Sequence, residues 1–269
     1  MSAQHGESLG DIILHHVTND LSTKYLELHL GSLDISITKH VLMLWIVAGF
    51  TVALAIWGTR RYRQDPDARP SGLSNLYEIL MSFIQKDIVI PNIGLDHART
   101  WTPLITTYFI FILTCNIFGM IPLFDLIPGG SNTVTGNFNT TVALASITFF
   151  AIITAGSMKM GFWGYWMHMV PRGVPFPVKI LLVFIEILSM FVRPFALTMR
   201  LGANMTAGHI GMIAIFALPI ILKMAPIGII SVILNTGVFF LELIVSFVQA
   251  YVFTLLSAVF IGMAIHAEH

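Results

Sequence analysis

The sequence predicts an all-α polytopic membrane protein: about five membrane helices plus a surface amphipathic helix, with the last two helices long, tilted and wrapped around a partner. Three observations carry this expectation. Of the 269 residues, 56% are hydrophobic and 10% charged, with a mean hydropathy of +0.82, which is far from soluble composition. Apolar runs without formal charge recur at or above the ~20 residues that cross ~30 Å of hydrocarbon. Basic residues gather in alternate connections, as the positive-inside rule requires of a chain that crosses repeatedly.

Net charge is zero, so nothing in the balance points to nucleic acid or an acidic substrate. The single cysteine, Cys115, excludes an internal disulfide and a multi-cysteine metal site, and reads as an apolar core residue. Residues 1–11 lack the basic start and apolar core of a cleavable signal. The segment 40–59 is expected to serve as an uncleaved insertion signal.

In chain order, residues 1–39 carry Glu7, Asp11, Asp20, Glu27 and Asp34 against Lys24 and Lys39. They read as an acidic external arm with a short amphipathic piece at 11–17. His15 and His16 would diverge by about 100° on a helix and lack a third ligand, so a solvated or channel-mouth position is the better reading than a metal site. Residues 40–59 form the first membrane helix, closed by Arg60, Arg61, Arg63 and Arg69, which marks a cytoplasmic end. Within the cytoplasmic-side region 60–100, Leu73, Leu76, Tyr77, Leu80, Phe83, Ile84 and Ile88 recur at three-to-four spacing between Asn75, Glu78, Gln85 and Lys86. That pattern suits a helix on the membrane surface or against a partner helix.

Residues 101–158 read as a membrane hairpin. Its connection at 125–139 is rich in Gly, Ser, Thr and Asn, with one acid and no base, and belongs outside. The cytoplasmic loop 159–179 has Lys159, Arg172 and Lys179 and no acid. The alternation places the N-terminus outside and the C-terminus in the cytoplasm. The remaining region, 180–269, holds apolar segments at 180–222 and 227–266, too long for perpendicular crossings, with a turn at 223–226. Pro194, Gly202, Pro219 and Gly237 are the expected bend points, and the pair looks built to wrap something.

The polar residues of this long pair are few. Glu186, Arg193 and Arg200 are spaced by seven and share a stripe on an ideal helix, which Asn204 continues. His209, nine residues beyond Arg200, falls about 180° away. Glu242, Ser246 and Gln249 share a face of the last helix. A guanidinium keeps its charge and only donates hydrogen bonds, so Arg200 suits a fixed positive charge. Imidazole and carboxyl groups exchange protons at physiological pH, which suits His209, Glu242 and Glu186 to carrying them. Blander readings stand beside these: Arg200 as a structural partner of Glu242, Arg193 as an anchor snorkelling to headgroups, His209 as an interhelical donor, Asn204 and Gln249 as interhelical glue.

The run Arg200-Leu201-Gly202-Ala203-Asn204-Met205-Thr206-Ala207-Gly208 resembles the signature of subunit a of the F-type ATP synthase. So do Val248-Gln249-Ala250-Tyr251-Val252-Phe253, Trp101-Thr102-Pro103-Leu104, the stretch 116–122 and Asn137-Phe138-Asn139-Thr140-Thr141, so the likeness covers about the whole chain. The resemblance implies a non-enzymatic stator and proton channel without cofactor or metal. The implied partners are the c-ring, the b subunits and the rest of the F1Fo complex, in a bacterial inner membrane. By position, Arg200 resembles the essential arginine and Gln249 the glutamine opposite it. His209 and Glu242 resemble the outside-facing half-channel pair, and Glu186 the acid of the cytoplasmic half-channel. Protons would arrive along Asn116, Asn139, His209 and Glu242. Gly119 stands where some members carry an acid.

Two rivals belong to other classes. A self-contained secondary transporter would use Arg200 to bind an anionic substrate, but the long polar helices show no internal repeat. An intramembrane hydrolase would need a His-Glu-x-x-His, Gly-x-Ser-x-Gly or paired-acid motif, and none occurs.

Overall fold

The structure is a computed structural model, described for residues 24–26, 29–30, 33–34, 36–65, 71–121, 133–168, 175–222 and 224–266. The pair His15 and His16, the piece at 11–17, Arg69, Asp125, Arg172 and Lys223 lie outside the described residues. Four short strands precede the helices: β1 (Lys24–Leu26), β2 (His29–Leu30), β3 (Leu33–Asp34) and β4 (Ile37–Thr38). They pair antiparallel as β1 with β4 and β2 with β3. The helices follow as α1 (Lys39–Gln64), α2 (Leu73–Phe83), a π-helical turn (Ile84–Val89), α3 (Ile90–Ile93) and α4 (Leu95–Met120). After a 3-10 turn (Val134–Gly136) come α5 (Phe138–Met160), α6 (Phe162–His168), α7 (Phe176–Leu222) and α8 (Ala225–Ile265).

Among the described residues five helices are long and apolar enough to cross a membrane: those containing His40–Arg60, Leu95–Met120, Phe138–Met160, Phe176–Pro219 and Pro226–Ile265. The chain is a multi-pass membrane protein. Helices α7 and α8 run for 47 and 41 residues, about 70 and 60 Å at ~1.5 Å per residue. Neither fits upright in ~30 Å of hydrocarbon, so each must tilt steeply or emerge. Pro194, Gly202 and Pro219 lie inside α7 and Gly237 inside α8 without interrupting either; Thr198 returns a hydroxyl hydrogen bond of 3.0 Å to the Pro194 carbonyl. Helix α4 begins six residues before the expected span, and the loop expected at 159–179 contains α6, whose seven residues are too few for a periodicity to announce.

The chain divides into two compact units. The first is Met1–Phe50, Phe111–Thr140 and Leu201–Gln249. Its apolar core is small: Met43, Val47, Cys115 and Val134, flanked by Leu44, Phe111 and Phe118, with the Phe50 and Phe118 rings 5.1 Å apart. Most large apolar side chains of α8 in this unit point outward. Ile112, Met120, Leu201 and Met205 are buried here as well, beside the polar cluster described below.

The second unit is Thr51–Ile110, Thr141–Arg200 and Ala250–His269, and is packed more conventionally. Ile84, Ile88, Ile93, Ile105, Phe109, Phe253, Ile261 and Ile265 are fully buried. Glycines set its closest approaches. Gly262 lies on the Asn92 carbonyl, Gly58 on the Tyr77 ring and Gly156 on the Tyr165 ring, each without room for a Cβ. Burial raises the Tyr77 phenol above its ordinary range. The end of α8 is fastened where His266 Nε2 meets the Ile93 carbonyl at 3.0 Å.

A hydroxyl cluster joins three helices of this unit. Thr148 Oγ1 of α5 lies 3.2 Å from Tyr108 Oη of α4 and 3.3 Å from Ser257 Oγ of α8, and all three residues are buried. Thr148→Val keeps the shape but strands two buried hydroxyls. A loss of about 1–3 kcal/mol is expected, read as a lower thermal midpoint of the purified protein; an unchanged midpoint would show that the cluster does not hold these helices.

Candidate functional site

The polar cluster of the first unit is built on α4, the 3-10 turn, α7 and α8. On α8, Glu242, Ser246 and Gln249 sit at i, i+4 and i+7, a single helical face, and all three are buried. On α7, His209 is buried, whereas Asn204 is exposed. His209 Nδ1 lies 3.1 Å from Glu242 Oε1, and Nε2 lies 3.2 Å from the carbonyl oxygen of Gly119 on α4.

These contacts restrict the protons. A carbonyl oxygen only accepts, so Nε2 must carry hydrogen and donate to Gly119. One further proton then lies between Nδ1 and Glu242, either as imidazolium facing carboxylate or as imidazole facing carboxylic acid. Both states bury no net charge, which favours the pair in a medium that penalises isolated ions. The other carboxyl oxygen, Glu242 Oε2, is buried without a hydrogen-bond partner among the described residues. The pair therefore has a two-position proton and an open acceptor.

Glycines make room for it. A Cβ at Gly208 would stand 2.5 Å from Glu242 Oε1, and a Cβ at Gly119 would run into Thr133. Neither glycine was singled out for this role from the sequence, where Gly119 marks a position at which some relatives of the resembled family carry an acid and Gly208 closes the signature run. Gly119→Ala is expected to push Thr133 or the 119 carbonyl aside, with an overpacking penalty of about 1–3 kcal/mol and a weakened bond to His209. Thermal unfolding measures the first effect and proton conductance the second; a wild-type value for both would disprove the tight fit.

Beside the pair, Thr135 donates to Asn116 Oδ1 at 2.6 Å, which orients the amide so that Nδ2 donates to the Ser246 carbonyl at 3.2 Å. Ser246 Oγ faces Met120 Sδ at 3.3 Å. Thr206 Oγ1 reaches the Gly136 carbonyl at 3.2 Å and the Gly202 carbonyl at 2.8 Å. Asn204 Nδ2 lies 3.4 Å from Gln249 Oε1, and Gln249 Nε2 has no partner among the described residues. Thr135, Thr206 and Met120 escaped the sequence reading because hydroxyls and thioethers are common inside membrane helices.

The structure does not join Asn139 to this cluster. It is exposed at the start of α5, where its backbone N–H donates to Asn137 Oδ1 at 3.0 Å. That is a helix-start contact of the kind short amides make.

In the second unit, Arg200 is exposed on α7 and has no hydrogen bond or ion pair among the described residues. Glu242 is engaged by His209. Arg193 has protein partners of its own. Its guanidinium pairs with Glu186 at 3.6 Å, with the two side chains 18% and 50% exposed, and lies 5.6 Å over the Phe260 ring, within cation–π range. A carboxylate two turns away and an aromatic face hold it along α7. Nearby, burial pushes the Tyr165 phenol up, with Arg193 lowering it and Glu186 raising it. Among the described residues no group of three or more His, Cys, Asp or Glu is placed to hold a metal ion.

Comparison with known proteins gives a consistent result. A profile described as ATP synthase A chain matches residues 41–262. ATP synthase subunit a 2 of Chlorobium luteolum is 40% identical over 269 residues, covering 96% of this chain and 76% of that one. ATP synthase subunit a 2 of Chlorobaculum tepidum is 39% identical, covering 98% and 75%. ATP synthase subunit a of Anaeromyxobacter dehalogenans is 36% identical, covering 96% and 71%.

Proposed function

We propose a proton path on one premise: the chain belongs to the ATP synthase A chain family. It serves as the membrane subunit through which protons reach and leave a rotating ring of c subunits, with b subunits and the remaining F1Fo complex as its other partners. The chain has no nucleotide chemistry of its own. The observation that carries this reading is the His209–Glu242 pair, whose two-position proton at 3.1 Å and open carboxyl oxygen suit a relay.

In this reading protons come from outside along the amide and hydroxyl groups of Asn116, Thr135 and Ser246 and load the His209–Glu242 pair. They pass to a ring carboxylate, ride round the ring and leave past Glu186, whose half-exposed carboxyl is open on one side and held by Arg193 on the other. Arg200, between Glu186 and His209 in the sequence of α7, acts as a permanent charge. It draws each returning carboxylate as that group loses its proton, and denies protons a continuous chain because it does not release its own. The exposed α7 face at Arg200, Ala203, Asn204 and Ala207 recurs at i, i+3, i+4 and i+7. Its two alanines let a partner helix approach closely, as small residues do in membranes. Asn139, exposed and outside the cluster, has no step in this path. The N-terminus outside and the C-terminus in the cytoplasm complete the orientation.

The test is complementation. Membranes stripped of this chain should regain ATP-driven acidification when it is restored, and it should co-purify with a ring of small apolar subunits. If the purified chain alone moved an anion across vesicles, with no ring bound, the transporter reading would replace this one.

A further inference from the structure

The short helix α6 has no part in the proton path, yet its surface is unusual. On a helical wheel Phe162, Trp166, Trp163 and Met167 fall within an arc of about 140°, with Gly164 and Tyr165 on the other side. Tyr165 is buried against Gly156 of α5, which fastens the helix to the second unit. The four arc residues point away from it: Phe162 is 57% exposed, Trp163 78%, Trp166 38% and Met167 73%. Their rings meet edge to face, Phe162 against Trp163 and Trp166 with centroids 5.6 and 6.4 Å apart, which stiffens the arc without covering it.

Position and charge say what lies against it. Helix α6 joins the end of one spanning helix, Met160, to the start of another, Phe176, so it is confined to one face of the bilayer. Gly161, at φ 76°, turns the chain there. It accepts the Tyr165 N–H at 3.0 Å while its own N–H closes the last turn of α5 on Ser157 at 2.9 Å. The chain thus leaves the membrane axis in one residue, using a left-handed conformation that glycine adopts without strain.

Every charge in this connection is positive. Lys159 occupies the last turn of α5 and Lys179 lies early in α7, whose first turn carries no acid. Arg172 lies between them in the sequence and no acid occurs from 157 to 185. Phe176, 75% exposed, extends the apolar surface to the start of α7. An aromatic arc flanked by cations is the pattern that seats at the headgroup level of a negatively charged leaflet.

We propose that α6 with Lys159 and Lys179 is a binding surface for acidic phospholipid. The rings of Phe162, Trp163 and Trp166 lie among the upper acyl chains, and the ammonium groups face the lipid phosphates. The chemistry is selective because neutral lipid satisfies the aromatic arc equally well but leaves the cations with half a partner. The surface is independent of His209, Glu242 and Arg200, and it anchors the connection between α5 and α7.

The experiment uses the assembled complex in phosphatidylcholine vesicles doped with a minor fraction of either dibrominated phosphatidylglycerol or dibrominated phosphatidylcholine. Tryptophan quenching is compared between wild type and W163F/W166F to isolate the α6 component. The brominated acidic lipid is expected to quench that component at several-fold lower mole fraction than the brominated neutral lipid. K159Q/K179Q should remove most of this preference, because each cation adds to the attraction of an anionic lipid, leaving quenching by the neutral lipid unchanged. Raising ionic strength on wild type should also shrink it, which keeps the test open should K159Q/K179Q fail to assemble. Equal quenching by the two lipids would overturn the proposal. So would quenching by aqueous acrylamide alone, which means a wet surface, or protection from all quenchers, which means that another subunit covers it.

Discussion

Replacing Arg200 by alanine is expected to abolish ATP-driven proton pumping, lowering it at least ~100-fold, while the chain still inserts and assembles. The size follows from what the guanidinium would face. Two unit charges ~4 Å apart attract by about 4 kcal/mol at an effective dielectric constant near 20, roughly a thousandfold in equilibrium terms. Without that attraction a deprotonated ring carboxylate has no reason to stop at α7. Assembly should survive, because Arg200 is exposed on its helix and makes no hydrogen bond or ion pair among the described residues. Passive proton leak should rise at the same time. Arg200→Lys is the discriminating control: a compact ammonium can give up its proton where a guanidinium does not, so the lysine variant should attract the ring yet leak. Dye-quenching assays on inverted vesicles read both quantities. Normal pumping by the alanine variant would remove Arg200 from the path.

The second expected result concerns His209 and Glu242. His209→Ala and Glu242→Gln should each slow proton conduction by about 10- to 100-fold, within the range that positioned acid–base groups contribute. His209→Ala also leaves the buried carboxyl unsatisfied, a loss of about 1–3 kcal/mol in the assembled protein, whereas the glutamine amide can still donate to Nδ1 and removes only the exchangeable proton. The exchange H209E/E242H keeps one imidazole and one carboxyl within the same space and should recover at least tenfold over the worse single variant. Recovery should stop short of wild type, because the imidazole would leave its bond to the Gly119 carbonyl. Proton flux driven by an imposed potential measures all three. Equal defects would show that the two residues do not share a proton.

Much of the fold was legible because the membrane simplifies the problem. A helix that must satisfy its own backbone in hydrocarbon announces itself by length and charge alone, and so α1, α4, α5, α7 and α8 follow from the apolar runs. The seven-residue α6 and the strands β1 to β4 left no such trace, since two to seven residues carry too little pattern. In the site, spacing sufficed to separate Arg200 and Asn204 from His209 on α7, as helical geometry is local. Which backbone carbonyl His209 meets was not legible. Gly119 lies 90 residues away, and a backbone acceptor has no residue type to read. The surroundings of Arg193 were half legible for a related reason. Sequence spacing aligned it with Glu186, but the Phe260 ring that completes its surroundings comes from α8.

The contact between His209 and Glu242 bears on how a transmembrane voltage acts on this chain. The heavy atoms are 3.1 Å apart, so the shared proton travels only about 1 Å between its two positions. Against ~30 Å of hydrocarbon that is roughly a thirtieth of the field. At about 2.3 kcal/mol per charge per 100 mV, the voltage does less than about 0.1 kcal/mol of work on the hop. In the proposed path the hop itself is therefore nearly blind to voltage and answers to proton concentration. On that proposal, steep voltage dependence of transport belongs to longer displacements, those of protons reaching the pair and of charged carboxylates moving past Arg200.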